Sequence, residues 1–455
     1  MTTTRDPVER SLRASDAFSW YLERDPLLRI PVVVVVHLGG EPDLTALRGR
    51  LAASLDRVPE LSQVVVVPPL RLAPPRWSRA AHVDLDWHVR EISAPPPGDR
   101  AVLLSLARQE ATTPFDPERP LWSVTVVRGL EGGGAALVLR FHHALTDGVG
   151  GVALAGELFD LVPGPGPSHA APRDTQEPSA HPVLRALAEE STGLLRHSLT
   201  APFDLTRQGL HALAHPRASL ETLASVARTV APVRHALSPL MQERGLTRSL
   251  HALDVPLDAL HATASARGCT VNDALLTAVS HGLGSYHALN NVPLPQVRVT
   301  MPVDLRAPDD PPGGNRITLL RFVLPTGHDG VESALRAVHE VAQERRHERS
   351  LPHTQAIART LSLLPSGVVG SMLKRVEAVV SDVPGPPVPL FAAGAPVVGW
   401  HVFGPTTGAA LNVTLLSYEG TCHLGLNIDS RAVREPEQLA ACIGASFEEL
   451  LALDA

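Results

Sequence analysis

The chain has 455 residues, of which 44% are hydrophobic, and its formal net charge is −7 at pH 7. This length predicts two lobes of about 150 to 250 residues each, with enough apolar side chains to fill both cores. The acidic balance and the lack of a long basic run argue against a nucleic-acid-binding surface. The only cysteines, Cys269, Cys422 and Cys442, are too scattered for a disulfide framework or a zinc site, which indicates a reducing compartment.

Targeting and nucleotide-binding patterns are also missing from the sequence. The N-terminus has no apolar signal-peptide core, and no segment reaches the roughly 18 to 20 consecutive apolar residues of a membrane-spanning helix. Lys374 is the only lysine and follows Leu373, so a Gly-Lys-Ser/Thr phosphate-binding loop is excluded. A Gly-x-Ser-x-Gly nucleophile motif is absent too, which weakens a serine-hydrolase interpretation. We therefore expect a soluble or peripheral protein.

The first lobe is predicted to span residues 1–162, with helix-period and strand-period segments in turn. Its helices are expected at 15–22, 43–55, 100–111 and 149–160, and its strands at 30–38, 63–67, 121–127 and 136–141. The run at 30–38 is short, apolar and β-branched, which predicts a buried strand.

A Pro- and Ser-rich stretch, residues 163–182, is predicted to be a flexible linker, and residues 183–245 a helical crossover. Residues 246–455 are predicted to form the second lobe, with helices at 271–289, 330–346 and 352–376 and strands at 296–303 and 317–324. Two further strands, at 410–416 and 421–428, are predicted to pair as a hairpin. These patterns predict an α/β fold of two lobes with a cleft between them. The leucine-rich amphipathic pattern of residues 183–241 is compatible with packing across the lobes or with a membrane interface.

The segment most suggestive of chemistry is His142-His143-Ala144-Leu145-Thr146-Asp147-Gly148, which follows the strand pattern ending at Phe141. Adjacent side chains on a strand point to opposite faces, so one histidine is expected to face the scaffold and the other the cleft. A positioned histidine can accept and return a proton near neutral pH, which suits group transfer. Ordinary strand-end histidines are the alternative, while the spacing does not fit a zinc helix.

Seven segments, spread in order along most of the chain, resemble the bacterial wax ester synthase/acyl-CoA:diacylglycerol acyltransferases, within the chloramphenicol acetyltransferase and condensation-domain superfamily. They are Pro120-Leu-Trp122, His142 to Gly148, Val271-Asn-Asp-Ala-Leu-Leu276, Met301-Pro-Val-Asp-Leu-Arg306, Gly314-Asn315, Ser381-Asp-Val-Pro-Gly-Pro386 and Leu411-Asn-Val-Thr414 with Ser417-Tyr418. The chain departs from the family pattern where Asp382 replaces the usual asparagine, Ala410 a common glycine, and Ala274 a valine. Asp382 would add negative charge to the site if it faced inward.

The resemblance implies two chloramphenicol-acetyltransferase-like lobes with mixed sheets and flanking helices, and a general base at His143. It implies that His142 positions the loop and that Asp147, before the turn at Gly148, pairs with Arg306 to shape it.

Asn272 is the candidate donor to the oxyanion of the tetrahedral intermediate, with helix capping as the alternative. Trp122 is a candidate lining residue of an acyl channel, with a core position as the alternative. Cleft-wall positions are expected for the remaining motif residues, Ser381, Gly385, Asn412 and Thr414.

The implied reaction is transfer of a long-chain acyl group from acyl-CoA, a co-substrate, to diacylglycerol or a long-chain alcohol. No other cofactor, metal or nucleic acid is expected. The implied location is cytoplasmic, peripheral to the inner face of the membrane or to lipid droplets. The alternatives are an acyltransferase for a polyketide, sugar or peptidyl acceptor, and a non-catalytic acyl-CoA- or lipid-binding protein of the same fold.

Overall fold

The structure is a computed structural model that describes residues 10–68, 74–145, 151, 158–163, 233, 235–304, 317–326, 330–346 and 366–453. Apart from Pro163, the predicted linker lies outside these residues, as do most of the predicted crossover and most of the helix predicted at 149–160.

In the first half of the chain, short helices alternate with strands. The elements are β1 (Arg10–Ser11), α1 (Ala14–Leu22), β2 (Pro31–Leu38), α2 (Leu44–Arg57), β3 (Gln63–Val66), β4 (Arg76–Arg79), α3 (Leu85–His88), β5 (Val89–Ser93), α4 (Arg100–Thr112), β6 (Trp122–Arg128) and β7 (Ala135–His142).

The second half contains longer helices and the remaining strands. The elements are β8 (Arg248–Pro256), α5 (Leu257–Ser265), α6 (Val271–Leu289), β9 (Gln296–Asp304), β10 (Ile317–Pro325), α7 (Val331–Arg346), α8 (Ser366–Leu373), β11 (Ala378–Val383), β12 (Phe391–Ala392), β13 (Ala395–Phe403), β14 (Leu411–Tyr418), β15 (Thr421–Asp429) and α9 (Pro436–Leu451).

These elements form two mixed α/β lobes, which confirms the predicted fold class. The strand order is β12-β13-β2-β7-β6-β5 in one six-stranded sheet and β10-β9-β11-β14-β15-β8 in the other, while β1, β4 and β3 form a small third sheet. β12 and β13 come from the second half of the chain but complete the sheet of the first lobe, with β13 antiparallel to β2. The predicted second lobe, 246–455, therefore includes two strands that belong to the first lobe.

The valine run of β2 follows from the position of this strand in the middle of its sheet. Val33 and Val35 pack in a cluster with α4 and Phe403, whereas Val32, Val34 and Val36 pack in the main core of the first lobe. Because both faces of β2 are covered, the strand is continuously apolar instead of alternating. The short apolar run was correctly predicted to be a buried strand.

The two sheets meet where β13 crosses β14 and β15. A Cβ atom at Gly425 on β15 would overlap the carbonyl group of Val402 on β13, so the crossing requires glycine there. Asn427 Nδ2 donates to the Gly404 carbonyl, 2.8 Å away, at the end of β13. Backbone contact of this closeness leaves the lobes little freedom to slide past each other.

Helix starts follow local sequence signals. Asp43 caps α2 by accepting from the backbone N–H groups of Thr45 and Ala46, and Thr270 and Asp273 form a capping box at the start of α6. α6 has the predicted bounds, and β14 and β15 form the predicted hairpin. Within the described residues, no helix is long and apolar enough to cross a membrane.

Candidate active site

The histidine pair lies at the end of β7, beside the start of β2. The N–H of His143 donates to the Ile30 carbonyl at 3.2 Å, and Pro31 is the register partner of His142. His143 is half-buried in the turn that follows the strand. The backbone of the candidate base is thus held by a sheet whose register is set by its core.

His142 is the member of the pair that faces the scaffold. Its side chain is completely buried, with its ring edge-on to Trp20 and Phe115. The ring Nδ1 accepts from the Ala144 N–H at 3.0 Å, and a neutral imidazole then carries its proton on Nε2. That Nε2 lies 3.2 Å from the Glu23 carboxylate. These contacts match a positioning role for His142.

Glu23 connects the two strand ends that hold the loop. Its Oε1 accepts from the Ile30 N–H at 2.9 Å while it faces His142. Burial alone would raise the pKa of Glu23, but His142 and the Ile30 N–H hold it below its ordinary value. Sequence reasoning missed Glu23, because a glutamate between a helix and a strand carries no motif and its partner is more than one hundred residues away.

Asn272 is the second residue of α6 and is half-buried. The helix cap that had been the alternative role for Asn272 is supplied by Thr270, whose side chain accepts from the Asp273 N–H at 3.2 Å. The capping explanation for Asn272 is therefore wrong. Its amide stands beside backbone N–H groups at a helix N-terminus, a place that favours negative charge.

Three predicted residues of the loop and its partner motif, Asp147, Gly148 and Arg306, lie outside the described residues. The ion pair between Asp147 and Arg306 stays a prediction.

Trp122 lies in the core of the first lobe, with only 4% of its surface exposed. Its indole N–H donates to the Leu61 carbonyl at 2.8 Å, and its ring stacks on His88 with the centroids 4.4 Å apart. Both the indole N–H and one face of the Trp122 ring are therefore occupied. The packing favours the core role over contact with an acyl chain.

The expected cleft-wall residues divide into two groups. Asn412 and Thr414 are buried, and the Thr414 hydroxyl donates a hydrogen bond to Asn412 Oδ1. Asn412 Nδ2 also donates to the Pro405 carbonyl at 3.1 Å. They brace the crossing of β13 over β14. Ser381 is half-buried on β11, and a Cβ atom at Gly385 would overlap the Ser417 carbonyl, so the chain there requires glycine.

Asp382, the departure from the family pattern, lies on β11 next to Ser381. Its side chain is open to solvent, yet desolvation by the surrounding protein raises its pKa to about 6. The three cysteines are buried, and burial raises the pKa of each thiol, so none is an activated nucleophile.

This two-lobed architecture is shared with a wax ester synthase/diacylglycerol acyltransferase and with condensation domains of known structure. A wax ester synthase/diacylglycerol acyltransferase from Marinobacter aquaeolei VT8 superposes with a TM-score of 0.65 at 22% identity, covering 97% of this chain and 98% of the other. The first condensation domain of the calcium-dependent antibiotic synthetase gives a TM-score of 0.62 at 15% identity, covering 99% and 97%. The fold is thus that of the condensation-domain class.

Sequence comparison narrows the class to a family. Residues 12–275 match the model of the wax ester synthase/diacylglycerol acyltransferase catalytic domain, and residues 313–451 match the C-terminal domain of the same family. A Mycobacterium tuberculosis H37Rv protein named as a candidate diacylglycerol O-acyltransferase is 32% identical over 440 residues, which cover 95% of this chain and 89% of that protein. A second such protein of the same strain is 27% identical over 438 residues, covering 93% and 91%. The chain belongs to the wax ester synthase/diacylglycerol acyltransferase family and is an acyltransferase.

Removing the Glu23 carboxylate should lower turnover through the loop it supports. We expect Glu23→Ala to reduce kcat by about 10- to 100-fold, because sub-ångström placement of a base controls rate, with KM nearly unchanged. Glu23→Gln keeps an acceptor for the Ile30 N–H and should recover part of the loss. Steady-state kinetics with Glu41→Ala, an exposed carboxylate paired with Arg128, as control would test this. Unchanged kcat in a destabilised Glu23→Ala protein would contradict a positioning role.

The raised pKa of Asp382 predicts a pH-dependent stability difference. The folded state holds the charged carboxylate less readily than the unfolded chain, so the cost appears as the pH rises from the ordinary carboxyl pKa of 3.8 through about 6. Asp382→Asn should therefore raise Tm at pH 8 but leave it nearly unchanged at pH 4. Thermal unfolding across this range measures the difference, with Asp86→Asn, which changes an exposed carboxylate of α3, as control. A pH-independent difference would argue against desolvation at Asp382.

Proposed function

We propose that the protein transfers a long-chain acyl group from acyl-CoA to the hydroxyl group of diacylglycerol or of a long-chain alcohol, with His143 as general base. The observation that carries this proposal is the double family match, which spans both halves of the chain and includes the histidine loop. The relatives named for diacylglycerol O-acyl transfer support the acceptor class.

In the proposed reaction, His143 removes the hydroxyl proton as the acceptor oxygen attacks the thioester carbonyl carbon. The C–O bond forms and the carbonyl π electrons move onto oxygen, which gives a tetrahedral oxyanion. When the carbonyl reforms, the C–S bond breaks, and the CoA sulfur takes the proton back from His143. The products are the ester and free CoA, and no proton is gained or lost overall.

Asn272 is the proposed donor to the oxyanion, since its amide is not needed for the helix cap and lies at the amino end of α6. Asp147 and Arg306 are proposed to form the ion pair that shapes the loop. The reaction needs acyl-CoA as co-substrate but no metal or prosthetic group in the acyl-transfer step, because every proton and electron pair is accounted for by substrate and side chains.

Because the proposed acceptors are insoluble in water, we infer that the enzyme works at a lipid–water interface. We place it on the cytoplasmic side, peripheral to the membrane or to lipid droplets. The support is in the sequence of residues 183–241, where leucines and arginines alternate in an amphipathic pattern.

Loss of the proposed base should abolish most turnover and leave the fold intact. We expect His143→Ala to lower the rate by about 10² to 10⁴-fold. Release of free CoA from one long-chain acyl-CoA, with circular dichroism as the fold check, measures this. His261→Ala, which changes an exposed histidine on α5, should behave like the wild type. Near wild-type rates in a folded His143→Ala protein would remove His143 from the mechanism.

The same assay run with an acceptor panel tests the substrate class. Diacylglycerol in vesicles, a long-chain alcohol, a short soluble alcohol, a sugar and a peptidyl amine would be compared at one acyl-CoA concentration. Ester formation with one of the lipids well above the other acceptors is the expected result. Preference for the sugar or the amine would overturn the lipid assignment, and turnover with none of them would favour a binding protein.

Membrane association should depend on apolar and basic residues of the crossover segment. Leu194→Ser/Leu195→Ser should weaken co-sedimentation with anionic liposomes and activity on diacylglycerol, while activity on a short soluble alcohol is spared. Wild-type binding should weaken at high salt, because screening removes the attraction of arginines such as Arg185 and Arg196 for lipid phosphates. Equal loss on both acceptors would mean that these leucines hold the lobes together instead.

A further inference from the structure

A cluster of titratable side chains lies at the crossing of the two sheets and takes no part in the proposed acyl transfer. Asp254 Oδ1 is 2.7 Å from His423 Nδ1 and 3.0 Å from His401 Nε2. Asp254 belongs to β8 and is the register partner of His423 on β15, whereas His401 comes from β13 of the other sheet. The cluster therefore joins the two lobes.

The backbone around this cluster is shaped to accommodate it. β13 contains a register shift between Val397 and Gly399, and a Cβ atom at Gly399 would lie only 3.1 Å from His423 Cε1. Gly399 and the irregularity of β13 thus make room for the ring of His423 between the sheets. β-Bulges are frequent beside functional sites, where they redirect side chains.

We propose that Asp254, His401 and His423 bind one divalent transition-metal ion of the zinc type. The three ligand atoms lie within 4.8 Å of one another. Zinc with ligands at about 2.0 to 2.1 Å in a tetrahedron separates its ligand atoms by roughly 3.3 Å. The observed separations of 2.7 and 3.0 Å need to widen by only a few tenths of an ångström.

The ligand set and its exposure define the type of site. Two imidazoles and one carboxylate suit zinc and its neighbours better than magnesium or calcium, which prefer oxygen. His401 and His423 are 1% and 9% exposed, but Asp254 is 34% exposed, so a metal ion would enter from the carboxylate side and keep a fourth position for water.

Two neighbouring side chains affect metal binding at this cluster: one supports it and the other competes with it. His37 Nε2 lies 2.9 Å from His401 Nδ1, which is the outer hydrogen bond that orients a metal-binding imidazole. Arg100 donates to Asp254 Oδ2 at 3.0 Å and competes with a cation for the same carboxylate, but its side chain is 53% exposed and is free to turn outward. The metal and the Asp254–Arg100 pair therefore oppose each other.

The site is remote from the histidine loop. His37 and Pro31 are both on β2, and Pro31 is the partner of His142. Six residues at about 3.3 Å each separate them by roughly 20 Å. A metal ion here would therefore act as a clamp between the lobes, and its presence does not depend on the acyl-transfer mechanism proposed above.

Cobalt titration of the chelator-stripped, full-length protein tests the proposal. We expect one Co²⁺ per chain at micromolar affinity or tighter, visible as d–d absorption of tetrahedral type, and a rise in Tm that saturates with one equivalent of Zn²⁺. His423→Asn is the matched variant, since its amide nitrogen replaces Nδ1 and keeps the hydrogen bond to Asp254 but ligates zinc poorly. It should weaken binding by more than about 100-fold.

Two further variants separate this site from other binding. Arg100→Met should tighten Co²⁺ binding, because the competing cation is gone. Cys269, Asp273 and His339 form another group of possible ligands, and binding there would show a sulfur-to-cobalt charge-transfer band that Cys269→Ser removes. Three results would overturn the proposal: a charge-transfer band of this kind, undiminished binding in a folded His423→Asn protein, or no saturable binding by the wild type. Asp254, His401 and His423 would then form a hydrogen-bonded cluster only.

Discussion

Simultaneous antiparallel pairing of β2 with β7 on one side and β13 on the other is the constraint on which the rest of this structure depends. The pairing with β7 sets where the histidine loop leaves the sheet, and the pairing with β13 ties the second half of the chain to the first lobe. Both faces of β2 are buried in apolar clusters. A one-residue slip in the pairing of β2 would therefore expose neither face to solvent, but it would misalign every contact at both ends of the strand.

The amino end of β2 shows how a rigid sheet holds the loop that carries the proposed base, His143. The backbone of Ile30 accepts from His143 and donates to Glu23, and Glu23 in turn faces the buried ring of His142. Each of these residues is held by a neighbour whose own position is fixed by packing. If His143 acts as the base, as proposed above, this preorganisation lowers the free energy needed to align it during the reaction.

Several motif residues have structural roles, so a residue that matches the family pattern is not thereby a substrate-binding residue. Asn412 and Thr414 brace the crossing of β13 with the second sheet, and Gly385 allows the chain to pass against Ser417. Trp122 fills a core. In this chain, several motif residues therefore mark where the two lobes meet.

The sequence by itself determined the α/β class, the bounds of α6, the hairpin of β14 and β15, and the buried strand β2. Each depends on local periodicity, capping or turn residues that act over a few positions. That one histidine of the pair faces the scaffold was also predictable, because adjacent side chains on a strand point to opposite faces.

Only the tertiary structure decided which lobe β13 joins, that Glu23 lies against the histidine loop, and that His401 and His423 meet at Asp254. These features bring together residues more than one hundred positions apart, such as Glu23 with His142 and Asp254 with His401. Neither hydrophobic periodicity nor local propensity carries information about such pairs. They arise because the two sheets bury their apolar faces against shared elements, and the polar side chains at the crossing must then find partners in each other.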